Sequence, residues 1–156
     1  MSAKYREQYD RMRRWYDRFA ALAQGRPHNM PSDNYLDEIY AFFLNCHHLK
    51  DWIKRDPSVD ASVQRQVEVH IDSSRPLRLC ADLCNSLKHL RLTKKPRSGE
   101  NPQFGSKHFG LALGSGPAAI SLQYYELETN AGPMDVLALA TQCLAAWDAF
   151  LVANGL

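Results

Sequence analysis

The apolar positions of this chain change period once, and that change predicts most of its architecture. Tyr5, Tyr9, Met12, Tyr16 and Phe19 recur at spacings of four and three, which lines them along one face of a helix. That first helix is expected from Ser2 or Ala3 to about Gly25, a residue suited to stop it. Ser32 or Asp33 is placed to cap a second helix reaching Arg55, and Asp56-Pro57 ends it. Ser58 is expected to cap a third helix to about Ile71, and Ser74 with Pro76 opens a fourth that runs to about Leu92.

From Lys94 to Ser106 the chain is rich in Lys, Pro, Gly and Ser and reads as a loop. Beyond it the period shortens to two. Phe109, Leu111 and Leu113 alternate with small residues, as do Ile120, Leu122 and Tyr124 with Ser121, Gln123 and Tyr125. With Gly114-Ser-Gly-Pro117 between them, the two runs predict a β-hairpin. Gly132-Pro133 is expected to open a last helix to about Asn154, apolar on nearly every side and so central in a bundle or shared with a second subunit. The fold class is mainly α: a bundle of about five helices in one domain, 1–156, with a hairpin inserted at about 104–128 before the last helix.

On a wheel of about 100° per residue, Leu79, Leu83, Leu87 and Leu90 share the core face of the fourth helix, with Cys80 and Cys84 at its edge. Arg78, Asp82, Asn85 and His89 fall together on another face, flanked by Lys88. On the second helix, His47, Lys50 and Lys54 share a side, and Asp51 lies one turn after His47, where a hydrogen bond would orient the imidazole. Three uses of these groups stay open. They form a polar seam holding a loop or a neighbouring helix. Alternatively, His47, Asp51, Asp82 and His89 ligate a metal, although the Glu-x-x-His pairs of bundle metal sites are missing. Or His89 acts as acid–base beside Lys88 and Arg78 on a phosphate.

Composition narrows the setting. A chain of 156 residues with 45% hydrophobic and 23% charged residues suits one globular core. Its N-terminus lacks the order of a signal peptide, and no uninterrupted apolar run reaches bilayer-spanning length, so a cytoplasmic location and no membrane partner are expected. Cys46, Cys80, Cys84 and Cys143 sit among apolar residues with no Cys-x-x-Cys pair, and read as buried reduced thiols rather than a zinc or redox motif. All 19 Lys and Arg fall within residues 1–108, and the chain beyond carries only Glu126, Glu128, Asp135 and Asp148 as charges. Such polarity can steer an anionic partner to one end of the molecule. The loop adds Lys94, Lys95, Arg97 and Lys107 interleaved with Phe104, His108 and Phe109, a mix able to grip phosphate and stack a base. The sequence has neither a Gly-rich phosphate cradle nor a Gly-x-Ser-x-Gly elbow.

The run Asp82-Leu-Cys-Asn85-Ser-Leu-Lys88-His89 near the end of a bundle helix resembles the HEPN superfamily, and His47-His48-Leu-Lys-Asp51-Trp52 is similar to HEPN-like bacterial proteins. The likeness spans about residues 30 to 92 and the last helix. It implies a small dimeric helical bundle of a defence or toxin–antitoxin type, with RNA or a nucleotide, a second copy of the chain and an antitoxin-like protein as partners. It further implies metal-independent ribonuclease activity without a cofactor. Asp82, Asn85, Lys88 and His89 would then be catalytic, and Arg78, His47 and Asp51 substrate-binding. Active members carry an Arg followed after four to six residues by a His; here Asn85 stands where that Arg is wanted, and Asn supplies no fixed charge to a phosphate. Arg65 and His70, on the third helix, match that spacing. A non-catalytic interaction module, docking through the last helix, is the alternative reading.

Overall fold

The computed structural model describes residues 3–89 and 94–156. Five helices, α1 (Lys4–Gln24), α2 (Ser32–Arg55), α3 (Ala61–Ser73), α4 (Arg75–Lys88) and α5 (Val136–Ala153), surround one core, and a small antiparallel sheet precedes α5. The mainly α architecture predicted from periodicity is the one observed. Tyr5, Met12 and Phe19 of α1 bury against Tyr35, Ile39, Phe42, Phe43, Cys46, Leu49 and Ile53 of α2. Leu79 and Leu83 of α4 and Leu139, Cys143, Trp147 and Phe150 of α5 complete that core.

The element boundaries have local causes. Asp60, rather than Ser58, caps α3 by accepting from the Ser62 N–H at 2.7 Å. Ser58 instead donates to Asp56, whose buried carboxylate also accepts the Tyr5 N–H at 2.8 Å. Asp56 thus ties the start of α1 to the end of α2. The α4 helix stops at Lys88, with His89 already extended (φ −128°, ψ 137°), short of the expected Leu92. Leu87 is accordingly 38% exposed instead of in the core, and Leu90 lies outside the described residues.

The hairpin forms as predicted, from β2 (Gln103–Ala112) and β3 (Ala119–Thr129), with Ala112 opposite Ala119. Two short strands were hidden in the sequence. The first, β1 (Arg26–Pro27), pairs with the start of β3, and the second, β4 (Gly132–Asp135), pairs with its end. Gly132-Pro133 therefore closes a second hairpin, and α5 begins only at Val136. Gly132 sits at φ 101°, a left-handed backbone that suits glycine.

α5 also corrects the expectation about membrane-spanning length. Its 18 residues have a mean hydropathy of 1.7, long and apolar enough to cross a bilayer by length and composition. Here Leu139, Ala140, Cys143, Leu144, Trp147, Phe150 and Leu151 are buried in the bundle core. Its other face, Ala138, Thr141, Gln142, Ala145, Ala149 and Val152, is exposed, so α5 packs along one side of the bundle and does not run through its centre.

Candidate functional site

The polar stripe of α4 divides into two fates. Asp82 is 1% exposed and spends its carboxylate on the loop after the helix. Oδ1 accepts the Arg97 N–H at 2.7 Å, and Oδ2 accepts the Ser98 N–H at 2.9 Å and the Ser98 hydroxyl at 2.5 Å. This is the seam role, a buried acceptor satisfied by loop donors. Asn85, Lys88 and His89 are exposed at the far end of the helix, and no hydrogen bond joins His89 to Asp82 or Asn85 through their side chains among the described residues. Arg78 is half-buried and donates to the Asp72 carbonyl. The four residues share a face, but only Asp82 is drawn into the protein.

The loop that Asp82 holds brings its own charge onto α2 and α3. Arg97 donates to Glu68 Oε2 at 2.7 Å and to Asp72 Oδ1 at 2.8 Å. Glu68 Oε1 faces the Lys54 ammonium at 2.7 Å and that of Lys50 at 4.0 Å. One carboxylate of α3 thus gathers three cations from α2 and the loop. Burial opposes its ionisation, yet Lys54, Arg97 and Lys50 together hold the Glu68 carboxyl down at about 2. A second anchor lies behind, where Arg75 pairs bidentately with Glu100, both contacts at 2.9 Å. Lys94 and Lys95 immediately precede this clamped segment and are exposed.

His47 sits half-buried beside the same cluster. Burial, then the positive charges of Lys50 and His48, push its pKa down to about 4; Asp51 offsets this in part, and Arg97 adds to it. The imidazole is therefore neutral at pH 7, in a field that remains positive. The expected His47–Asp51 hydrogen bond does not form among the described residues. Asp51 instead lines a hollow of about 210 Å³ with Lys4, Trp52, Arg55 and Asp56, because one helical turn of separation does not by itself aim both side chains the same way.

No family model, curated protein or solved structure matches the chain. His70, the histidine of the Arg65 spacing match, is committed to α5: its Nε2 lies 2.9 Å from the Ala146 carbonyl, and its ring packs on Trp147 and Phe150. The imagined His47, Asp51, Asp82 and His89 metal cluster does not assemble. Among the described residues, the one set of three potential ligand atoms within 4.8 Å is Cys46, Cys80 and Cys143.

Sequence periodicity marked His47, Lys50 and Lys54 as sharing a side of α2 and Arg97 as part of a basic loop. It gave no sign of Glu68 or Asp72, the α3 acids that organise them. No motif singles out two carboxylates one turn apart on an amphipathic helix.

Proposed function

We propose that the face built by His47, Lys50 and Lys54 of α2 and Arg97 of the loop binds the phosphates of RNA. The observation that carries this reading is the gathering of Lys50, Lys54 and Arg97 on the single carboxylate of Glu68. Cations held in place by a shared acid have lost much of their rotamer freedom before a phosphate arrives. Arg97 offers a planar fork and the lysines offer point charges, the two ways proteins hold phosphate oxygens. The HEPN-like resemblance points the same way, toward a dimeric protein with metal-independent ribonuclease activity.

In such a reaction a neutral imidazole takes the proton from a ribose 2′-hydroxyl as that oxygen attacks the adjacent phosphorus, and an acid protonates the departing 5′-oxygen. His47 is neutral at pH 7 and stands beside the cations; His89 is exposed at the C-terminal end of α4. Asp82 takes no part, since the loop occupies both of its oxygens. Incubation with bulk RNA and tRNA in EDTA tests this, using wild type, His47→Ala and His89→Ala. Cleavage in EDTA lost in either variant supports the assignment; cleavage equal in all three removes the histidines from the chemistry.

A protein-docking module is the second reading, and one observation favours it. Among the described residues the β2 strand pairs on one edge only, and Leu111 and Leu113 are 59% and 82% exposed at the hairpin end. An unpaired edge with exposed leucines is a template for another chain.

A further inference from the structure

Cys46 of α2, Cys80 of α4 and Cys143 of α5 converge at the centre of the bundle, with their sulfur atoms all within 4.8 Å of one another. None is more than 1% exposed. The fourth cysteine, Cys84, stands outside this group and donates to the Phe43 carbonyl at 3.1 Å, which Cys80 also reaches at 3.5 Å, while Cys143 donates to the Pro76 carbonyl at 3.3 Å. A second feature points into the cluster. Trp147 is 1% exposed, and among the described residues its indole N–H has no hydrogen-bond partner, which is costly for a buried donor. Its neighbour is the sulfur of Cys46. A thiolate sulfur is the acceptor this orphan donor lacks.

We propose that Cys46, Cys80 and Cys143 form a tris-thiolate site for a soft trivalent metalloid ion of the arsenic(III) type. All three donors are sulfur, which selects thiophilic ions over those preferring oxygen or imidazole. Bonds of about 2.3 Å would place the sulfurs of a three-coordinate ion about 3.5–4 Å apart, within a modest contraction of the observed cluster. Charge selects within the soft ions. Three thiolates leave a monovalent ion at −2 and a divalent ion at −1, but a trivalent ion at zero, and the dry core supplies no cation to offset an excess. The step balances without redox change: arsenous acid, As(OH)3, exchanges its three As–O bonds for three As–S bonds. The three thiol protons leave with the three hydroxides as water. Entry requires the bundle to open locally, so uptake is slow.

The test is native mass spectrometry of the reduced full-length chain after prolonged incubation with arsenite, with X-ray absorption at the arsenic edge. The proposal expects one arsenic per chain with three hydrogens lost, three sulfur neighbours and a raised melting temperature. Cys84→Ala should retain binding, and Cys46→Ala and Cys143→Ala should lose it. Absence of bound arsenic, two sulfur neighbours, or a requirement for Cys84 overturns it, as does preferential uptake of zinc(II) by all four thiols. The wild-type sulfur count decides the matter even where a core variant fails to fold.

Discussion

The carboxylate of Asp82 holds the backbone N–H of Arg97 at 2.7 Å, so a buried acid of α4 sets the position of the guanidinium that reaches α3. Asp82→Ala should cost about 2–4 kcal/mol, because it removes three hydrogen bonds at once and leaves loop donors unsatisfied. His89→Ala, at an exposed helix end, should stay within about 0.5 kcal/mol of wild type. Urea denaturation of both variants checks the contrast, and equal effects would deny Asp82 its anchoring role.

Acid should unlock the same region in two stages. The pKa of His47 lies at about 4 in the folded chain against about 6.5 for a free imidazole. The unfolded state therefore binds the proton first, and stability falls as pH drops from about 6.5 to 4, by at most about 3 kcal/mol. Glu68, held at about 2, binds its proton in the unfolded chain first as well, so its contribution is lost as pH falls from about 4.5 toward 2. Denaturation midpoints against pH should show the upper stage shrink in His47→Gln, leaving the part that His70 supplies because burial lowers its pKa too, while the lower stage persists.

Glu38 predicts a different failure. It is buried and accepts from Arg18 at 2.7 Å and from Arg26 at 2.5 and 3.1 Å, joining α1 to the residue that opens β1. Its two arginine partners outweigh burial and keep its carboxyl below the usual range. Glu38→Gln should destabilise by about 1–3 kcal/mol, since Arg26 then keeps its partly buried charge without a counter-ion. The measurement is thermal unfolding, and nucleic-acid affinity should not change.

The hairpin prediction separates the two functional readings. Leu111→Lys together with Leu113→Lys should leave the melting temperature within a few degrees, because both side chains are exposed. Analytical ultracentrifugation then reports whether the edge joins copies of the chain. RNA binding unaltered by the pair places the phosphate interface elsewhere, as proposed; RNA binding lost with it favours the hairpin.

Helix stripes were legible because burial repeats at the helical period, as Tyr5, Met12 and Phe19 do on α1. The α4 wheel likewise put Asp82 among polar neighbours, but a wheel cannot show that residues 97 and 98 fold back over one member and leave Asn85 and His89 in solvent. The cysteine cluster was hidden for a related reason. Its members lie on three helices, and periodicity along one helix carries no information about the rotation of another. Strands β1 and β4 escaped because two and four residues are too short to show alternation.

The most direct test of the phosphate-binding face is the anisotropy of a labelled single-stranded RNA titrated with protein at several salt concentrations. Wild type is compared with Lys50→Ala/Lys54→Ala. Each phosphate contact contributes a slope of about −0.7 in log K against log salt for a single strand. The account predicts binding that weakens with salt, and a double variant with lower affinity and a slope reduced by about one contact or more. Salt-independent binding, or an unchanged affinity and slope in the variant, would contradict it.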